Sequence, residues 1–134
     1  MRKHLISIGA ALGALTLGTF AQAAPEAPAF SKGRSCFASN QWESWTADPS
    51  GDTLYLRVRH NDVYRVDLSP GSRARKSPNY FLVNRVHGSN WICSALDLNL
   101  DLADNLGFRQ PLIALQMRKM SPQEVAALPK KLRP

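Results

Sequence analysis

Residues 53–68 read Thr-Leu-Tyr-Leu-Arg-Val-Arg-His-Asn-Asp-Val-Tyr-Arg-Val-Asp-Leu, and no other stretch constrains the fold as tightly. Leu54, Leu56 and Val58 alternate with Tyr55, Arg57 and Arg59. Tyr64, Val66 and Leu68 alternate with Val63, Arg65 and Asp67. A period of two in both arms means two strands, each with one apolar face. A two-residue turn at Asn61-Asp62 would set Leu56 against Asp67 and Val58 against Arg65, mixing the faces. A three-residue loop of His60, Asn61 and Asp62 sets Val58 against Tyr64, Leu56 against Val66 and Leu54 against Leu68. That register keeps one face apolar and is the one expected.

The ends of the chain frame this hairpin. Arg2 and Lys3 precede an apolar run from Leu5 to Phe20, and Ala21-Gln22-Ala23 offers small residues at the positions a signal peptidase reads. Residues 1–23 therefore read as a secretory signal peptide. The run is short for a membrane span, no later stretch approaches membrane length, and no cysteine follows the cut to carry a lipid. Residues 24–34 hold Pro25 and Pro28 among small residues and read as a flexible leader. Residues 35–128 are the size of a single small globular domain, and 129–134 form a basic tail.

A domain this small buries only about two-thirds of its unfolded surface. Cys36 and Cys93 are the chain's two cysteines. In an exported chain they are expected to form one disulfide. Two thiols without neighbouring histidines do not make a structural zinc site, and no metal or cofactor is expected.

The rest of the domain reads as mostly β. Residues 36–45 form a first strand, and residues 48–52 a strong turn. Residues 91–102 are strand-like, with Leu96, Leu98, Leu100 and Leu102 on one face. Cys93 has the opposite parity, so either a bulge near Ser94 and Ala95 intervenes or the disulfide lies off the core face. Residues 80–86 suit a helix or a strand equally. Residues 112–118 make a last strand. Ser121-Pro122-Gln123-Glu124 is a capping box with proline at the first helical position, opening a short helix that Pro129 stops. The expected fold is α+β in the mostly β sense. It is a small antiparallel sheet or half-open barrel with one C-terminal helix and one disulfide.

The formal net charge is +7, of which Arg2 and Lys3 belong to the signal peptide. A moderately basic domain suits anionic surfaces without specifying nucleic acid. The expected hairpin register puts Arg57 opposite Arg65, with Arg59 next along the face. A bound anion would relieve that like-charge pairing, as would Asp67 lying diagonally across. Arg73, Arg75 and Lys76 cluster in a loop rich in proline and glycine, of a kind that grips phosphates. His60 and His87 would serve a phosphodiester hydrolase as general acid and base if they met in one cleft. No G-x-S-x-G or H-E-x-x-H motif is present. Asp97, Asn99 and Asp101 imitate the start of a calcium loop, but Leu102 and Phe108 stand where it needs glycine and glutamate. Trp42, Trp45 and Trp91 suit core packing, or ligand stacking where exposed.

The order Ser35-Cys36-Phe37, the 52–58 and 63–68 strands, Trp91-Ile92-Cys93-Ser94 and the Ser-Pro-Gln-Glu-Val helix start resembles one family. It comprises small exported proteobacterial proteins catalogued as a domain of unknown function. Many members carry four cysteines. The resemblance places the extra two near Gly71-Ser72 and Arg109-Gln110, where this chain has neither. It implies no activity, cofactor or catalytic residue.

The sequence thus leads to an exported, periplasmic protein of a Gram-negative cell. The first expectation is a non-enzymatic binding or accessory module that meets an anionic envelope component or a periplasmic protein. Its anion-binding candidates are Arg57, Arg59, Arg65, Arg73, Arg75 and Lys76. The alternatives are the hydrolase using His60 and His87, and a protein-docking or inhibitory module that uses a sheet edge.

Overall fold

A computed structural model describes residues 35–134; the signal peptide expected at 1–23 and the leader at 24–34 lie outside them. The described chain is mostly β. Nine strands run in the order β1 (Phe37–Ala38), β2 (Trp42–Ala47), β3 (Thr53–Val58), β4 (Asp62–Leu68), β5 (Tyr80–Asn84), β6 (Trp91–Ile92), β7 (Leu100–Asp104), β8 (Arg109–Leu112) and β9 (Ala114–Lys119). One helix, α1 (Pro122–Ala127), follows them. The strands form three antiparallel sheets, ordered β2-β3-β4-β9, β5-β7-β8 and β1-β6, and none closes.

The expected hairpin forms, with its register displaced by two residues. Leu54 pairs with Val66, Leu56 with Tyr64 and Val58 with Asp62. The loop is therefore Arg59, His60 and Asn61, with Asp62 inside the strand. Three contacts hold this choice. Asp62 meets Lys119 of β9 at 2.8 Å. The backbone N–H of Arg59 donates to Gln41 O and that of His60 to Glu43 Oε1. Arg59 and His60 consequently take φ values of 49° and 65°. A two-residue shift preserves parity, so the apolar face survives. Leu54, Leu56, Val58, Tyr64, Val66 and Leu68 all enter the main core with Phe37, Ile92, Leu98, Leu100, Leu102 and Leu112.

The opposite face of the hairpin is not simply polar. Tyr55 and Val63 are buried with Met120, roofed by Val125, Leu128 and Leu132. The capping box predicted at Ser121 is what starts this roof: Ser121 Oγ accepts from Glu124 N, and Glu124 Oε2 accepts from Ser121 N. Beyond Pro129 the basic tail turns once more over Lys130–Leu132. Arg133 secures it by donating to the carbonyls of Leu128 and Ala126.

The long strand expected over 91–102 is interrupted. Asp97 Oδ2 accepts from the backbone N–H groups of Cys93 and Ser94 and from Ser94 Oγ. That carboxylate winds Ala95–Asp97 into a 3-10 turn. Leu96 consequently leaves the leucine face and is 90% exposed, while Leu98, Leu100 and Leu102 stay buried. The chain breaks beside Ser94 and Ala95, one of the two outcomes the parity of Cys93 left open, and Cys93 itself is exposed, off the core face, as in the other. Residues 80–84 resolve as a strand, and the last expected strand divides at Ile113. The first expected strand also divides, around a 3-10 turn at Ser39–Gln41.

The disulfide joins Cys36 to Cys93. Phe37 pairs with Ile92 and Ala38 with Trp91, so the bond sits one residue from the smallest sheet. Phe37 then packs at a tilt against Tyr64, ring centroids 4.7 Å apart, which ties that sheet to the hairpin.

Candidate anion-binding surface

The fold distributes the basic residues into those with acidic partners and those without. Arg57 pairs across β2 with Glu43 at 3.7 Å and lies opposite Val63, so the Arg57–Arg65 juxtaposition expected from the other register does not occur. Arg65 lies opposite Tyr55 and donates to Asp67 at 2.8 Å. That hydrogen bond to Asp67 raises the Arg65 pKa further. Arg59 approaches Asp62 at 4.0 Å and donates to Cys36 O. The three hairpin arginines are thus matched by Glu43, Asp67 and Asp62. The repulsion that motivated an anion on this face is absent.

The other carboxylates are equally committed. Asp101 is 4% exposed and holds Arg85 at 2.9 Å and Arg109 at 3.8 Å. Glu124 holds Arg118 at 2.8 Å. Asp48 accepts from the backbone N–H groups of Gly51, Asp52 and Thr53. Burial pushes the Asp48 carboxyl up, but the Ser50 hydroxyl and these N–H groups together bring it below its ordinary value. Asp52 accepts from Ser72 N. Asp97 caps its 3-10 turn, and the Cys93 N–H lowers its pKa most.

Arg73, Arg75 and Lys76 remain. All three are exposed, and among the described residues none forms an ion pair. They nonetheless sit on a fixed loop. Ala74, between the arginines, is fully buried in the main core. Its N–H donates to Gly51 O at 2.9 Å. Ser72 N reaches Asp52, Ser72 Oγ reaches Ser69 O, and Gln110 Nε2 donates to Ser72 O. Ala74 turns inward while the arginines on either side face solvent, and Arg73 takes a left-handed φ of 51° to do so. The loop therefore presents three cations without carboxylate neutralisation.

Lys130 and Lys131, in the basic tail, also lack ion pairs among the described residues. Thr46 Oγ1 approaches Lys131 O at 3.5 Å, which sets that turn beside the end of β2. The 73–76 loop docks on Gly51 and Asp52, in the connection that follows the same strand end.

The two histidines lie in different loops. His60 Nδ1 contacts Glu43 Oε1, and this hydrogen bond lowers the Glu43 pKa. The His60 side chain is 87% exposed, in a shallow recess with Asn40, Gln41 and Arg59. His87 is exposed in the loop between β5 and β6, and among the described residues no hydrogen bond or ion pair joins it to His60. Trp42 and Trp45 are half-buried against the core and line a cleft of about 390 Å³ between β2 and β5 with Leu82 and Val86. Trp91 is exposed. Among the described residues no group of three or more histidines, cysteines or carboxylates is arranged to hold a metal, and no helix is long and apolar enough to cross a membrane. Comparisons with protein-family models, curated proteins and solved structures found no match.

Proposed function

We propose that this chain is a non-enzymatic binding module of the cell envelope, exported to the periplasm, whose ligand is an anionic envelope component. The cations that receive it are Arg73, Arg75 and Lys76, with Lys130 and Lys131 adding to the field. One observation carries the reading: the carboxylates of the described chain are spent on arginines, lysines or backbone N–H groups, while these cations are left uncompensated on a clamped loop. Guanidinium groups on a fixed loop suit phosphate, which they can bind in bidentate fashion. The Cys36–Cys93 bond is compatible with an oxidising compartment.

A thermal-shift screen tests this. The chain in its natural processed form would be titrated with lipopolysaccharide, inorganic polyphosphate and neutral glycans, at low and physiological salt. The expected result is stabilisation by the anionic members alone, fading with salt and absent from Arg73→Gln/Arg75→Gln/Lys76→Gln. Equal stabilisation of that triple variant would overturn the assignment. Binding indifferent to salt would instead favour docking of an extended segment between the free edges of β2 and β5.

A further inference from the structure

We infer that the anionic component is the surface of a lipid bilayer, entered by the tip of the β7–β8 hairpin while the 73–76 loop lies along the headgroups. This rests on the anion-binding reading above and names the class of ligand.

The tip carries Leu106, which is 95% exposed. Nothing in the turn requires an apolar side chain there. Asp104 Oδ1 accepts from Leu106 N at 2.9 Å and Phe108 N at 2.8 Å, and Gly107 takes a φ of +95°. Those elements make the turn, and a polar residue at 106 would leave them intact. Phe108 follows, 46% exposed, with its ring edge-on to Tyr80 at 6.1 Å. An aliphatic tip and a half-exposed aromatic ring therefore sit together on one projecting turn.

The basic loop is fastened to this same hairpin at both ends. At its start, Gln110 Nε2 of β8 donates to Ser72 O. At its finish, Tyr80 pairs with Asp104 and packs on Phe108. Arg73, Arg75 and Lys76 lie between those two fastenings, so the uncompensated cations belong to a segment tied at both ends to the hairpin that carries the apolar tip. The acid nearest the tip, Asp104, has its Oδ1 occupied by two backbone N–H groups. Arg109, the next basic residue, shares Asp101 with Arg85.

Apolar side chains beside unpaired cations are what an anionic bilayer recognises and a soluble anion does not. The cations meet headgroup phosphate, each strengthening binding by roughly fivefold. The apolar tip leaves water at the headgroup boundary. A soluble polyanion would use the cations and ignore Leu106.

The test compares vesicles of mixed phosphatidylglycerol and phosphatidylcholine, vesicles of phosphatidylcholine alone, and inorganic polyphosphate. The proteins are the natural processed chain, Leu106→Ser and Leu106→Met. Because residue 106 is solvent-exposed, both variants should fold, which circular dichroism checks. The expected result is binding to the anionic vesicles over the neutral ones. Leu106→Ser, which changes no charge, should weaken that binding by roughly tenfold, Leu106→Met should retain it, and all three proteins should bind polyphosphate equally. Leu106→Ser binding the anionic vesicles as well as the parent would overturn the bilayer inference. So would binding to polyphosphate without binding to vesicles, and in both cases the anion reading would survive. Failure to bind either anion would sink both.

Discussion

Gly51 is the residue on which the basic loop rests. Its φ is +80°, and a Cβ there would lie 2.5 Å from Arg73 Cα and 2.6 Å from Ala74 N. Backbone atoms cannot yield as a flexible side chain does. Gly51→Ala combines a left-handed conformation with a collision and is predicted to cost about 2 kcal/mol or more in chemical denaturation. It should also weaken anion binding, since the collision displaces the loop that carries Arg73 and Arg75. Glu124 offers a second residue-scale expectation. The Arg118 guanidinium, then the Ser121 N–H, hold its carboxyl down to about 2. A depressed carboxylate stabilises the fold above its ordinary value of 4.5, and this contribution disappears as pH falls toward 2. The side chain is 39% exposed, so screening limits the effect to about 1 kcal/mol or less. Glu124→Gln should therefore lower stability at pH 7 by that amount and leave it unchanged near pH 2, as denaturant titration at the two pH values would reveal.

At the scale of elements, the chain's local signals were read where they act locally. Ser121 and Glu124 cap their helix within four residues, and the alternation from Leu54 to Leu68 requires only a strand's pleat. Both were legible for that reason. The hairpin register was not, because Asp62 is held in its strand by Lys119, which arrives from β9 far along the chain. That single slip also dissolved the expected Arg57–Arg65 pair, and with it the like-charge repulsion that argued for an anion on that face. The clustering of Arg73, Arg75 and Lys76 was legible because they stand together in sequence. What sequence could not reveal there was the absence of carboxylates, which depends on how the whole chain folds. Leu96 was misassigned for a related reason: a leucine run looks like a strand until the Asp97 carboxylate turns the backbone. The disulfide belongs to this scale too. Its cysteines are 57 residues apart, a loop whose closure is worth about 4 kcal/mol in the chain-entropy account. The β1–β6 sheet has two residues per strand and cannot persist alone. Cys36→Ser/Cys93→Ser is predicted to lower stability by roughly 2–4 kcal/mol. Hydrogen exchange should quicken first at Phe37, Ala38, Trp91 and Ile92. Unchanged protection at those amides would contradict this.

At the scale of the molecule, all three sheets contribute to one main core, a cleft opens between β2 and β5, and the charge is sorted around the outside. Arginines near carboxylates brace the sheets; those of the 73–76 loop brace nothing. The most direct test is the salt dependence of binding to anionic vesicles, measured for the parent chain and for Arg73→Gln/Arg75→Gln/Lys76→Gln. The account predicts that the parent chain's affinity falls steeply between low and physiological salt. The triple variant should bind weakly at both, with a much flatter dependence. A variant that retains the parent's affinity and its salt slope would contradict the assignment of these three cations.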